Sequence, residues 1–311
     1  MWRNSYVQKY VIALKTDNLY YFSAAHCFRN KQKVKRTPIR EIAVVAGKHN
    51  LAIVNERGSS VHDLKSVVLH PDWKYDDSRF DADIALIVLA TEVRLSDWIT
   101  PVCLPTKNDI FGNGTAVGWG RSEHSAAKGE FMDSTPNELQ VSIPTQENCF
   151  LAVPRLTFIA TDRTFCAGYL DQTKSICTGD SGGGFYSYSW NTGLFTLNGI
   201  ISSSLMNGQN CDTEVYSLFT DVKKYVDWIK RTGTKSRRDF NLNRKLKNLF
   251  IYSFNNYSSA FQLSHSTFVG LTTHKEMFAS RDLFKPFFQL CAIKRLSLVF
   301  LHLSQSQRTM S

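Results

Sequence analysis

The sequence predicts an all-β protein of antiparallel barrels, closed by a C-terminal helix. Three observations predict it. Short runs rich in aromatic and β-branched residues recur from Tyr6 to Thr220, with turn residues between them. Helical spacing of apolar residues is clearest near the end of that region, at Val222, Tyr225, Val226 and Ile229. Apolar residues make up 43% of the chain, enough for a sizeable core. No apolar run approaches the ~20 residues that cross a bilayer.

In chain order, Tyr6 to Leu14 and Tyr20 to Ser23 read as short strands. Lys31 to Arg36 is a basic surface loop. Glu41 to Gly47 alternates into a strand. Val67 to Pro71 and Ile84 to Leu89 are apolar strands on either side of a turn-rich stretch. Further strands are read at Gly118-Trp119-Gly120, Leu139 to Pro144, Thr164 to Gly168, Phe195 to Ser203 and Val215 to Thr220. Arg121 to Pro136 is a polar loop. Asp221 is placed to cap the closing helix, and Trp228 to pack it down.

The length of 311 residues suits one large all-β domain or two smaller ones. The net charge of +10 suggests nucleic acid until its distribution is counted. Residues 235–311 carry 12 Lys and Arg against 3 Asp and Glu, which leaves 25 against 24 before them. The first part is nearly neutral, so no nucleic-acid partner is expected. The boundary falls at 232. Residues 1–232 form the expected domain, and 233–311 a basic tail read as a disordered or non-domain extension. A membrane-surface or partner-binding arm is the alternative for the tail. Val11 to Leu14 is too short for the apolar core of a signal peptide.

The chemistry lies in Gly179-Asp180-Ser181-Gly182-Gly183. Flanking glycines let the backbone turn sharply and leave the serine hydroxyl open. A serine is a weak nucleophile until a base takes its proton, so a histidine and an orienting carboxylate are needed. Ala24-Ala25-His26-Cys27 and Asp81-Ala82-Asp83-Ile84-Ala85-Leu86 supply both. The order His, Asp, Ser is that of the chymotrypsin-type triad.

These three motifs resemble the trypsin/chymotrypsin family of serine endopeptidases, and the resemblance runs from about Val7 to Arg231. It implies two six-stranded antiparallel β-barrels with a triad of His26, Asp83 and Ser181 in the cleft. Asp83 is preferred to Asp81 because the family's aspartate directly precedes Ile-Ala-Leu. The resemblance implies an oxyanion hole from the N–H groups of Gly179 and Ser181. It places Ser202 on the strand that binds the substrate backbone, and Ser175, Ser204 and Glu214 among the substrate-binding residues. Ser175 would sit at the pocket floor, where trypsin-like members carry aspartate. Glu214 would line the same pocket, or lie on the surface if the alignment slips by one residue. A mixed preference for aromatic and Lys side chains follows. Asp180 would pair with an ammonium freed by an activating cut. No Ile-Val-Gly-Gly-like stretch precedes His26, so Asp180 is expected to lack its ion partner and the domain to be N-terminally incomplete.

Seven cysteines leave at least one outside a pair within the chain. The resemblance implies bridges Cys149–Cys166 and Cys177–Cys211, hence an oxidising, secreted setting. Cys103 matches the cysteine that tethers a prosegment in many relatives, with its partner expected upstream of Met1. Cys27 normally pairs about sixteen residues earlier, where Val11 or a neighbour stands. A buried thiol and an altered N-terminal sequence are the two explanations. Lys48 stands where calcium-binding relatives have glutamate, so no metal site is expected, nor any cofactor. Asn113 and Asn256 begin glycosylation sequons. The partners implied are protein or peptide substrates and serpin-type inhibitors. Gly182-Gly183-Gly184-Phe185 lacks the family's usual proline and resembles an arthropod secreted branch. Two other readings stand: a non-catalytic protease homologue that binds or regulates partners, and a structural or membrane-surface protein acting through the tail.

Overall fold

The computed structural model describes residues 9–11, 20–30, 35–74, 79–109, 112–122, 125, 127–130, 132–168, 175–204, 206–207, 210–211, 215–233 and 299–301. Sixteen strands fall within them. They are β1 Lys9–Val11, β2 Tyr20–Ser23, β3 Arg29–Asn30, β4 Lys35–Arg36, β5 Ala43–Ala46, β6 Ser60–Leu69, β7 Ala85–Leu89 and β8 Gly114–Gly118. Then follow β9 Asn137–Val141, β10 Thr164–Ala167, β11 Gly184–Ser189, β12 Leu194–Ser203, β13 Met206–Asn207, β14 Asn210–Cys211, β15 Ser217–Asp221 and β16 Val299–Leu301. Two curled antiparallel sheets of six strands carry the fold, in the orders β1-β16-β5-β6-β7-β2 and β10-β15-β12-β11-β8-β9. This matches the chymotrypsin fold. One strand of the first sheet, β16, comes from the basic C-terminal region: Phe300 pairs with Tyr10 on one side and Val45 on the other. Residues 1–229 with 291–311 form one compact unit and 230–290 a second, of which only 230–233 are described.

The strand positions follow burial. β2 and β7 pair from Tyr20↔Val88 to Ser23↔Ala85, and every residue of both is buried. Such continuous burial explains why these runs are apolar rather than alternating. In the second sheet Phe165, Phe185 and Phe219 meet with ring centroids 5.3 to 5.7 Å apart. Trp119 is fully buried, and its Nε1–H lies 3.2 Å from the carbonyls of both His49 and Ser134. That bond satisfies the indole donor at little cost.

The closing helix follows the sequence pattern. The Asp221 carboxylate accepts from the Lys223 N–H at 3.0 Å, and Val222, Tyr225, Val226 and Ile229 are all buried. Trp228 packs against the core and meets the His70 ring at 4.8 Å. The stretch between Val141 and Thr164 contains an unexpected helix, α1 Gln146–Ala152, capped by the Thr145 hydroxyl accepting from Asn148 N–H. β11 and the first half of β6 were likewise not anticipated.

Two bridges, Cys149–Cys166 and Cys177–Cys211, are present, with Cα separations of 6.3 and 5.4 Å. Cys27 is a buried thiol. Cys103 is disulfide-bonded, which corrects the expectation that its partner must lie upstream of Met1. Its backbone is held as well: its N–H donates to Phe195 and its carbonyl accepts from Leu197.

Candidate active site

Asp83 and Asp81 lie two residues apart and do different work. Asp83 is fully buried. Its Oδ1 accepts from the His26 backbone N–H at 2.8 Å, and its Oδ2 from His26 Nδ1–H at 2.7 Å. Oδ2 also accepts from the Ser202 hydroxyl at 2.6 Å. A carboxylate only accepts, so the Nδ1 proton is assigned by its partner, and Nε2 carries the lone pair in the neutral ring. Asp81 instead pairs with Arg163. The loop places Asp83 behind the histidine because Ala82 between them takes a left-handed backbone, φ 52°.

Burial by itself lowers the His26 pKa, but the Asp83 charge, the Cys27 thiol and their hydrogen bonds outweigh it, and the result lies well above the ordinary imidazole value. The ring stays 22% exposed, so it can still meet a ligand. Phe80 stands edge-on to it at 5.9 Å.

Ser181 lies in the turn after β10 and before β11. Gly179 has φ +101° and Gly182 φ +86°, both left-handed, as expected of the glycines flanking the half-buried Ser181. A Cβ on Gly182 would strike the Ser23 hydroxyl at 2.5 Å. The turn is tied by Gly182 N–H to Ile201 O and Gly183 N–H to Asp180 O, both 2.8 Å. Among the described residues, the N–H groups of Gly179 and Ser181 donate to no protein acceptor. No hydrogen bond joins Ser181 Oγ to His26 among the described residues. Nε2 lies 3.7 Å from Cys27 Sγ, which is also 3.6 Å from the Ser181 carbonyl. One thiol hydrogen can serve only one of these acceptors at a time.

Asp180 is buried and points away from the hydroxyl. Its Oδ1 accepts from Gly120 N–H at 2.7 Å and its Oδ2 from Cys177 N–H at 2.9 Å. Burial pushes its pKa up to about 6, against those two N–H donors and helped by Asp133. No cation pairs with it among the described residues. Gly120 is required there, because any Cβ would overlap the Asp180 carboxylate.

The remaining sequence-derived positions divide. Ser202 is buried, and the register slip between Ile201 and Ser203 breaks the alternation of β12 so that its side chain turns towards Asp83. Its bond to Asp83 was not anticipated, nor was the bond from Thr220 Oγ1 to the Asp83 carbonyl at 3.0 Å. Ser175 and Ser204 are half-buried and make no hydrogen bond to the His26–Asp83 pair among the described residues. Glu214 and Asn256 lie outside the described residues, and Asn113 is exposed before β8. At the position read as unfavourable to calcium, Lys48 points inward: its Nζ donates to the Ile53 carbonyl and sits 3.7 Å from Glu56. An ammonium thus supplies the positive charge within this loop.

Antiparallel double-sheet architecture and a His–Asp pair beside a glycine-flanked serine define the class of chymotrypsin-fold proteins. The model of the trypsin family matches residues 14–229, and the chain belongs to that family. It is 30% identical over 239 residues to serine protease gd of Drosophila melanogaster, covering 67% of this chain and 44% of that protein. It is 29% identical over 228 residues to mouse ovochymase-2, covering 70% and 36%. To the rat complement C1r subcomponent-like protein it is 28% identical over 211 residues, covering 67% and 44%. The chain therefore spans less than half the length of these curated relatives. The family and the disulfides fit an extracellular protein. No helix of the described residues is long and apolar enough to cross a membrane.

Proposed function

We propose that this chain is a serine endopeptidase in which Ser181 is the nucleophile, His26 the general base and Asp83 the orienting carboxylate. The observation that carries the reading is the fully buried Asp83 accepting from the backbone N–H and the ring Nδ1–H of His26 and from the Ser202 hydroxyl. Three donors lock the carboxylate, and the carboxylate locks the ring in the tautomer that leaves Nε2 basic. Ser181 Oγ attacks the substrate carbonyl carbon and its proton passes to His26 Nε2. The proton then goes to the leaving amine as the C–N bond breaks, leaving an acyl-serine that water cleaves in a second round. The uncommitted N–H groups of Gly179 and Ser181 receive the developing oxyanion, and losing one such donor costs roughly 10²–10³ in rate. The missing Ser181–His26 hydrogen bond is compatible with this role, since such contacts tighten when substrate binds.

The substrates are proteins or peptides. Ser202 holds their backbone, and Ser175, Ser204 and Glu214 shape the pocket for aromatic and Lys side chains. Serpin-type inhibitors and a secreted location go with the family. Asp180 takes an N-terminal ammonium on activation. One observation favours a second reading, a non-catalytic protease homologue acting as a regulator: the Asp180 carboxylate has no cation among the described residues.

The test is labelling with a fluorophosphonate. Protein supplied with a free Ile-Val-Gly-Gly N-terminus should label at one site, and Ser181→Ala should abolish it. Labelling that persists in Ser181→Ala places the nucleophile elsewhere. No labelling of the parent protein leaves the regulator reading.

A further inference from the structure

We propose that Arg163 is a positioning residue for Asp83, acting through a clamp on Asp81 that holds the intervening Ala82 in its left-handed turn. The proposal rests on the reading of His26 and Asp83 as part of a triad. Arg163 Nε donates to Asp81 Oδ1 at 2.9 Å and its Nη2 to Oδ2, a two-point fork. Its Nη1 donates to Asp72 Oδ2 at 2.6 Å. Thr161 Oγ1 adds a further bond to Asp81 at 3.1 Å. The guanidinium lies 5.7 Å from the centre of the Tyr225 ring, and the Arg163 carbonyl accepts from Asp221 N–H. Arg163 and Asp81 are both about three-quarters buried, so this is no screened surface pair.

The reason it matters is the backbone it restrains. Ala82 is fully buried and has φ 52°, a conformation that costs a non-glycine residue energy. A tight turn closes over it, with Ile84 N–H donating to the Ala82 carbonyl at 2.7 Å. Every residue around Ala82 is held. Phe80 N–H donates to Ile159 O, Asp81 is held by Thr161 and Arg163, and Asp83 by His26, Ser202 and Thr220. Half of those anchors come from the single segment 159–163, which leads into β10 of the second sheet. That segment thus sets the loop of the first half that carries Asp83. Without the fork, Ala82 can relax to a right-handed or extended backbone and turn Asp83 away from His26.

The test reads His26 directly in the full chain, by NMR titration of its labelled imidazole, and needs no activity. Asp83 and Cys27 are the titratable groups that contact the ring. In Arg163→Gln the His26 midpoint should fall towards that of an ordinary histidine. Adding Ala82→Gly, which tolerates φ > 0, should return it most of the way. Asp72→Asn, which removes only the outer contact, should leave it unchanged. In the labelling-competent enzyme, Arg163→Gln should lower kcat on the order of 10-fold with KM nearly constant, since misplaced catalytic groups cost rate rather than affinity. If Arg163→Gln does not fold, Arg163→Lys keeps the charge without the fork and should shift the midpoint in the same direction. An unchanged His26 midpoint in a folded Arg163 variant overturns the proposal, as does a double variant no better than the single one. A shifted midpoint in a protein that never labels upholds the positioning role while the endopeptidase reading fails.

Discussion

Asp180→Asn tests the electrostatics of the buried turn. The carboxyl is 8% exposed, and its pKa rises from 3.8 to about 6 in the folded protein. A raised folded pKa makes a contribution that is full below about pH 4 and is lost as pH rises through about 6. The interval corresponds to about 3 kcal/mol lost by pH 8. Asparagine is neutral throughout and removes this dependence. It also aims its NH₂ at one of the two N–H donors, Gly120 or Cys177, which costs about 1 kcal/mol. The two stability curves should therefore cross. At pH 4 the parent should be the more stable by about 1 kcal/mol, and at pH 8 the variant by about 2 kcal/mol. Urea unfolding at several pH values measures both, and the difference between the proteins cancels every other titrating group. A parent that keeps a constant lead from pH 4 to 8 would refute the reasoning, because the carboxylate must then have found a cation. A peptide whose free N-terminus reaches Asp180 should abolish the crossing.

Replacing Cys177 and Cys211 by serine opens a 34-residue loop and should cost about 4 kcal/mol in urea melts. The 17-residue Cys149–Cys166 loop should cost nearer 3 kcal/mol, and a reversed order would contradict a chain-entropy origin. Lys48→Met removes the ammonium that faces Glu56 and the Ile53 carbonyl, and should destabilise by about 2 kcal/mol. Glu56 also accepts from the backbone N–H groups of His49 and Asn50. Glu56→Gln should therefore cost less on top of Lys48→Met than in the parent without becoming neutral, and additive losses would show that the two side chains do not interact.

Much of the local structure of the candidate site was legible in the chain. Gly179 and Gly182 announce a turn that needs left-handed residues, so the glycine-flanked serine between them is a local property. The closing helix was legible for the same reason: Asp221 and the four apolar residues after it act within two turns. α1 was written just as locally, in Thr145 followed by Gln146 and Glu147, but its single buried face at Cys149 gave too short an apolar pattern to see. β11 escaped because Gly184 to Ser189 mixes aromatic and hydroxyl residues whose burial depends on the neighbouring strands β8 and β12.

What the sequence by itself determined was the set of groups and their order: a serine in a glycine turn, one histidine beside small residues, and two candidate aspartates. The family likeness already preferred Asp83, and the tertiary structure shows what each carboxylate binds. Arg163, 82 residues further along the chain, binds Asp81, while His26, Ser202 and Thr220 gather round Asp83. The two carboxylates differ only in what surrounds them, and that depends on which distant donors the folded sheets bring within 3 Å. The same holds for Cys27 and Asp180. Their sequence positions name a thiol and an acid, but only packing places the one against His26 and buries the other away from any cation among the described residues.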